Sequence, residues 1–249
     1  MRRFNIIVLA SLLQVAAADT RVLVIDTGVD ATNPTLAEVF CPAEYSLDVT
    51  TGRSVVGIPE DNIDHGTHVA GIIRALAGSS GYCMAFCKYY SGPRDNNLLN
   101  TIKCLAHAEK IGARYINYSS GGRKFDKDER AAIKAISGFV VVAAGNDGVD
   151  VDKEGYYPAA YRLPNEIIVG AYNSNCNKMD ISNYGRDIQY YLGESLYSSL
   201  PSNTRGAMTG TSMAAAVATG TMLRASLGLP TIGDCQAYRR FFLKFWSTH

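Results

Sequence analysis

Apolar and polar positions in this chain follow two different periods. Arg21-Val22-Leu23-Val24-Ile25 is a short β-branched run that stops at Asp26-Thr27-Gly28, which predicts a buried strand and then a loop. Residues 29–64 are mixed and punctuated by Pro34, Pro42, Gly52, Gly57 and Pro59, so irregular structure with short strands is expected there. From His65 to Leu76, small and apolar residues recur at helical spacing. Ala85 to Tyr90 reads as the next strand. Leu98, Ile102, Leu105, Ala108 and Ile111 mark one face of an amphipathic helix over Asn97–Ile111, which Gly112 is placed to end. Arg114 to Tyr118 is strand-like, and Ser119-Ser120-Gly121-Gly122 opens a loop. Asp126 is positioned to cap a helix that runs to Ile136. Phe139 to Ala144 is an apolar strand broken by Gly145-Asn146, and Ile167 to Ala171 is another. Gly210-Thr211-Ser212-Met213-Ala214 leads into a run of Ala, Val, Gly and Thr ending at Gly220, a buried helix with a serine in its first turn.

Strands that alternate with helices imply right-handed crossovers. The expected fold class is α/β, with a mostly parallel central sheet covered on both faces by helices. No repeat, low-complexity segment or linker interrupts this pattern, so one domain is expected.

Composition narrows the picture. With 249 residues, 47% of them hydrophobic, the chain is long enough for one domain with a substantial core. The formal net charge of +1 gives no reason to expect a nucleic-acid partner. Arg2-Arg3, the mostly apolar stretch Phe4 to Val15 and the small residues Ala16-Ala17-Ala18 have the layout of a secretory signal. Residues 1–18 are therefore expected to be a signal peptide, and residues 19–249 the mature, secreted domain. The apolar stretch is short for a membrane span, so no membrane partner is expected after cleavage. Six cysteines in an exported chain predict three disulfides, with the pairing left open by sequence. Cys83 and Cys87 have ligand-like spacing, but no second Cys/His pair completes a metal site.

Three polar residues stand at the edges of predicted elements. Asp26 ends the first strand, where open α/β sheets build their sites. His65 and His68 stand three apart at a helix start, without the His-Glu-x-x-His pattern of a zinc helix. His65 is taken as the chemical histidine, with His68 packed behind it. Ser212 sits at a helix N-terminus, next to unpaired N–H groups and the positive end of the helix dipole. Taken alone it is an ordinary helix cap. Acyl transfer needs a hydroxyl nucleophile, a base and a carboxylate that orients the base, and Ser212, His65 and Asp26 supply one of each. Asn146 then fits as a side-chain donor to an oxyanion, beside the Ser212 N–H.

These motifs resemble those of the subtilisin-like serine proteases, the subtilases. Asp26-Thr27-Gly28-Val29-Asp30 is similar to the family's aspartate motif. Asp61-Asn62 followed by His65-Gly66-Thr67-His68-Val69-Ala70-Gly71 resembles its histidine motif, and Gly210-Thr211-Ser212-Met213-Ala214 its serine motif. Their order along the chain is that of subtilisin. Ile116 to Gly122 resembles the segment that binds a substrate backbone as an antiparallel strand. Val142 to Gly148 resembles the segment carrying the oxyanion asparagine, and Ser195 to Pro201 the run before the serine motif. The likeness covers Arg21 to Leu227.

The resemblance implies a three-layer subtilase fold and peptide-bond hydrolysis through an acyl-enzyme. Asp26, His65, Ser212 and Asn146 would be the catalytic residues, and Ser119, Ser120, Gly121 and Tyr156 would contact an extended peptide or protein substrate. No cofactor is needed for that chemistry. Structural calcium is left open without assigned ligands, because the stretch between Gly71 and Cys87 is short and Asp147, Asp150 and Asp152 read as a solvated loop. A monomer is expected. Some resemblance to the proteinase K type implies a Cys176–Cys235 bridge; Cys41–Cys83 and Cys87–Cys104 are carried as guesses for the other four cysteines. Only eighteen signal-like residues precede Asp19, so no pro-segment is visible; three readings stand open, a chain that folds with help from its disulfides, a sequence that is part of a longer one, or a pro-function supplied by another chain. Ala216 replaces the family's usual proline in the serine helix, a change a helix accepts. Tyr156 falls where relatives shape the pocket for the residue before the scissile bond, which implies a shallow pocket and a preference for small or medium side chains. A binding protein on the same scaffold, or an esterase, are the alternatives to an active peptidase.

Overall fold

The computed structural model describes residues 20–52, 54–93 and 96–248; the signal peptide expected over residues 1–18 lies outside them. Strands β1 (Thr20–Asp26), β2 (Leu47–Asp48), β3 (Val55–Val56) and β4 (Tyr82–Lys88) come from the first third of the chain. They are followed by β5 (Tyr115–Tyr118), β6 (Phe139–Ala143), β7 (Glu166–Tyr172) and β8 (Gln189–Leu192). Together they form one eight-stranded sheet in the order β3-β2-β4-β1-β5-β6-β7-β8. Every pairing is parallel except that of β2 with β3. β9 (Leu196–Leu200) and β10 (Thr204–Met208) form a separate antiparallel hairpin.

β1 shows why its sequence is apolar at every position rather than at alternate ones. Val22 and Val24 face one hydrophobic cluster while Leu23 and Ile25 face another, so both sides of the strand are buried. Helices α1 (His65–Ala77), α5 (Thr211–Ser226) and α6 (Cys235–Thr248) cover the first face through residues such as Ile72, Ile73, Val217 and Phe242. Helices α2 (Asn97–Lys110) and α3 (Lys127–Ala135) cover the second through Leu105, Ala108 and Ile133. One short turn of helix, α4 (Val151–Glu154), stands between β6 and β7. The result is the three-layer α/β arrangement that the pattern predicts.

Most predicted elements appear within a residue or two of their expected ends. β4 is shifted, running over Tyr82–Lys88 rather than Ala85–Tyr90. All seven of its residues pair with Thr20–Asp26, so its extent is set by its partner and not by its own composition. Gly112 ends α2 in the left-handed region at φ 62°. The Asp126 side chain caps α3 by accepting from the Asp128 and Glu129 amides. The cysteines pair as Cys41–Cys83, Cys87–Cys104 and Cys176–Cys235, as expected. Helix α6, which the sequence reading passed over, carries Tyr238, Phe242 and Trp246 four residues apart on one buried face. The Cys176–Cys235 bridge fastens its first residue.

The order of the sheet places the site. From β1 the chain crosses to β4 on one side, then returns to β5 on the other. The strand order therefore reverses at β1, and crevices form at the carboxyl ends of strands at such a point. Ile25 lies opposite Tyr118, so Asp26 and Ser119 leave the sheet side by side.

Candidate active site

Asp26 is the last residue of β1 and is 3% exposed. Its Oδ1 accepts a hydrogen bond from the Thr27 amide at 2.8 Å and lies 2.7 Å from His65 Nδ1. A carboxylate on Nδ1 fixes the proton there and leaves Nε2 as the basic nitrogen. Burial pulls the His65 pKa down, but the Asp26 charge, the Asp26 hydrogen bond and the Asp61 charge outweigh it, and the net direction is up from 6.5.

The fit between β1 and α1 depends on a missing side chain. A Cβ on Gly66 would run into the Gly28 carbonyl oxygen and come within 3.2 Å of the Asp26 Cβ. Glycine at that position lets the histidine helix approach the aspartate loop. A buried carboxylate, Asp61, then ties the two together. Its Oδ1 accepts from Thr27 Oγ1 at 2.8 Å and from the Ile63 and Asp64 amides at 3.2 and 3.0 Å. Its Oδ2 accepts from the Thr67 amide and hydroxyl at 2.8 and 2.6 Å. Thr27 Oγ1 in turn accepts from the Gly66 amide at 2.9 Å. Asp61, Thr27 and Thr67 appear in the sequence only as letters of the motifs. The signal that marks them is a carboxylate six residues before a threonine amide in the first turn of a helix.

His68 is fully buried behind His65. Its Nε2 lies 2.9 Å from the Leu196 carbonyl and 3.1 Å from that of Gly206, so it holds the β9–β10 hairpin. Burial drives its pKa down to about 4, which keeps it neutral and apart from the chemistry.

Ser212 occupies the first turn of α5, whose preceding residue Gly210 has φ 148°. The Ser212 N–H is among the amides that a helix start leaves without an intrahelical partner. Two hydrogen bonds join Ser212 to Ser119: Ser212 Oγ donates to the Ser119 carbonyl at 3.0 Å, and Ser119 Oγ donates to the Ser212 carbonyl at 3.1 Å. Among the described residues no hydrogen bond joins Ser212 to His65. A hydrogen bond from Ser212 Oγ to His65 Nε2 would need the side chain to turn away from the Ser119 carbonyl.

Asn146 lies just past β6 and its amide orientation is fixed by chemistry. Its Oδ1 accepts from the Thr211 amide at 2.9 Å and the Thr211 hydroxyl at 3.0 Å. Only oxygen can accept from an N–H, so Nδ2 is the donor left facing the start of α5. A Cβ on Gly210 would lie 3.3 Å from that nitrogen. The side-chain N–H of Asn146 and the backbone N–H of Ser212 thus belong to one small region at a helix N-terminus, the arrangement that stabilises developing negative charge.

Ser119, Ser120 and Gly121 form a short open edge. Among the described residues the backbone of Ser120 and Gly121 bonds to no other segment, whereas Gly122 pairs in both directions with Tyr157, at 2.8 and 2.7 Å. The Ser120 side chain turns toward Tyr89. A Cβ on Gly121 would point the other way, 2.6 Å from Tyr156 Cε1, and one on Gly145 would meet Tyr156 Cζ at 2.6 Å. The Tyr156 ring therefore fills the gap between the two glycines.

The acidic loop after Asn146 is committed to protein partners. Asp147 pairs with Arg123 at 3.3 Å, Asp150 with Lys153 at 3.4 Å and Asp152 with Arg162 at 2.6 Å. Among the described residues no group of three or more His, Cys, Asp or Glu side chains is placed to hold a metal ion.

A model of the Peptidase S8 (subtilase) family matches residues 17–231. Subtilisin DY of Bacillus licheniformis is 32% identical over 90% of this chain and 82% of its own length. Subtilisin-like protease 2 of Plasmodium falciparum (isolate 3D7) is 30% identical over 79% of this chain, which spans only 16% of that protein. Among solved structures, the epidermin leader peptide processing serine protease of Staphylococcus aureus superposes with a TM-score of 0.72 at 21% identity, over 82% of this chain and 64% of that one. A mutant of the protease domain of PatA superposes with a TM-score of 0.70 at 23% identity, over 90% and 86%. The three motifs, the strand order and the match over most of the described residues lead to one conclusion: the chain belongs to the subtilase family of subtilisin-like serine peptidases.

Proposed function

We propose that the chain is a secreted serine endopeptidase in which residues 1–18 are a signal peptide and residues 19–249 the catalytic domain. Ser212 attacks the scissile carbonyl and His65 Nε2 takes its proton. The Asp26 carboxylate holds the proton on Nδ1 and stabilises the imidazolium that forms. The tetrahedral oxyanion is met by Asn146 Nδ2–H and the Ser212 N–H. His65 then returns the proton to the leaving amine. Water repeats the cycle on the acyl-enzyme.

The substrate is an extended peptide that adds as a strand to Ser119-Ser120-Gly121, where among the described residues the backbone of Ser120 and Gly121 bonds to no other segment. Tyr156 floors the pocket for the residue before the scissile bond and selects small or medium side chains. The domain works as a monomer and no cofactor takes part in the chemistry; a structural calcium ion remains open, without assigned ligands. The observation that carries this reading is the 2.7 Å contact between Asp26 and His65, residues thirty-nine apart in sequence, beside a serine at a helix N-terminus.

The test is digestion of a diverse peptide library by the purified mature chain, with Ser212→Ala as control. Internal cleavage by the parent and none by the variant is expected. Equal cleavage by both, or cleavage of esters alone, overturns the proposal.

A further inference from the structure

A cleft that no step of the proposed chemistry uses lies between helix α6 and the connection from β8 to β9. Its volume is about 500 Å³, inside the range of roughly 300–1,000 Å³ in which proteins hold small organic ligands. Phe242 and Trp246, one helical turn apart on α6, form its floor, and Leu192 and Leu196 line the other side. Leu243 and Tyr197 stand at the mouth, 66% and 46% exposed. From Arg239 to Trp246 the α6 wall runs two turns, about 10 Å. The lining is therefore apolar over the length of a chain rather than of a single small group. Asp26, His65, Asn146 and Ser212 take no part in it.

The rim carries one charge of each sign. Arg239 comes from α6, a helix that holds Arg239, Arg240 and Lys244 and no acidic residue. Glu194 comes from the β8–β9 connection, and its Oε2 accepts from the Ser174 amide at 2.7 Å. That bond, with the Ser174 hydroxyl and the Arg239 charge behind it, holds the Glu194 carboxyl below the usual carboxylate range, so it is ionised at neutral pH. Among the described residues no salt bridge joins Arg239 to Glu194 or takes either to another partner. The two charges stand close enough to act on each other and too far apart to close the opening.

A ligand that matches this cleft has an apolar chain and a head bearing both charges. A phosphate suits Arg239, whose planar fork can pair with two of its oxygens. A quaternary ammonium suits Glu194 and the face of the exposed Tyr197 ring. A head with one charge alone leaves one rim group unanswered and sets the other against its like.

We propose that the cleft between α6 and the β8–β9 connection is a binding site for a single-chain amphiphile with a zwitterionic, phosphocholine-type head. The chain lies along Phe242 and Trp246, against Leu192 and Leu196. The phosphate pairs with Arg239 and the ammonium with Glu194. The ligand enters as a monomer, because its chain is held inside the protein rather than laid against a bilayer.

Trp246 is the only tryptophan in the chain, so its fluorescence reports on the cleft directly. The experiment titrates the mature chain with dodecylphosphocholine, dodecanoate and dodecyltrimethylammonium, each below its micelle-forming concentration. Dodecylphosphocholine should change the Trp246 emission saturably and bind about tenfold more tightly than either singly charged analogue, the scale of one charge-assisted hydrogen bond. In Arg239→Ala its advantage over dodecyltrimethylammonium should vanish. In Glu194→Gln, which keeps an oxygen for Ser174, its advantage over dodecanoate should vanish. Melting curves check that both variants fold, and the ranking within the parent needs neither of them. No saturable change, equal affinity for the three ligands, or a ranking that survives both substitutions overturns the proposal. So does equal competition by phosphocholine without a chain, or pelleting of the protein with phosphatidylcholine vesicles, which would make the surface and not the cleft the binding element.

Discussion

Asn146 performs two separable tasks, and substitutions can divide them. Its Oδ1 anchors the start of the serine helix through the Thr211 amide and hydroxyl, at 2.9 and 3.0 Å. Its Nδ2 is the proposed donor to the oxyanion. Asn146→Ala removes both. The two anchoring bonds are worth about 0.5–1.5 kcal/mol each, and at an exposed residue the lower half applies, so a stability loss of about 1–2 kcal/mol is expected. Losing one oxyanion donor slows turnover by about 10²–10³, a figure measured on subtilisin's own asparagine and carried over by family membership. Asn146→Asp is the sharper probe. It keeps an oxygen for Thr211, so the fold should lose almost nothing. It also replaces the donor with an anion aimed at the developing charge, so turnover should fall by about 10³ or more. The assay pairs urea unfolding with kcat on one chromogenic peptide for all three proteins. A stable Asn146→Asp with near-parent turnover would refute the reasoning. So would an Asn146→Ala whose activity loss is fully explained by unfolding.

Asp61→Ala removes the acceptor of five hydrogen bonds, one from Thr27 of the aspartate loop, two from the Ile63 and Asp64 amides and two from Thr67 of α1, and leaves buried donors unpaired; a loss of about 3 kcal/mol or more in chemical denaturation, with a lower kcat, is expected. The two histidines should give opposite pH signatures. His65 has a raised pKa, so its contribution to stability is present below 6.5 and is lost as pH rises through the folded value, whereas its role as base requires the neutral form; kcat/KM should therefore fall on acidification through a midpoint above 6.5, and the midpoint should move down in Asp26→Asn. His68 is buried neutral with a pKa near 4, so its contribution is present above 6.5 and is lost as pH falls toward 4, on the order of 3 kcal/mol; melting curves across that range should flatten in His68→Gln. Tyr156→Ala empties the space between Gly121 and Gly145, so cleavage after large aromatic residues should rise relative to cleavage after alanine in a peptide digest.

The sequence discloses those parts of the molecule in which one residue type at one place meets one physical demand. β1 must be apolar throughout because both its faces are buried, and that is how it reads. Asp26, His65, Ser212 and Asn146 stand at element ends, so their setting is visible in the pattern around them. What stays hidden depends on partners far away in the chain. The limits of β4 come from pairing with β1. The β9–β10 hairpin is rich in Ser, Thr and Gly and has no clean alternation; its place is held by His68, some 130 residues away. Helix α6 has a regular apolar face, but it follows the loop of Gly228, Pro230 and Gly233 and lies beyond the stretch, Arg21 to Leu227, that carries the family likeness. The Asp61 network and the bonds between Ser119 and Ser212 join segments that no local pattern connects.

The central claim is that Ser212 is a nucleophile activated by His65. The most direct test is reaction of the mature chain with a peptidyl phosphonate, which reads covalent capture without depending on the choice of substrate. Mass spectrometry of the digested adduct should locate the label on Ser212, and His65→Ala should slow labelling while the chain stays folded. An unlabelled parent protein, a label on another residue, or equal labelling of the His65→Ala variant would contradict the account.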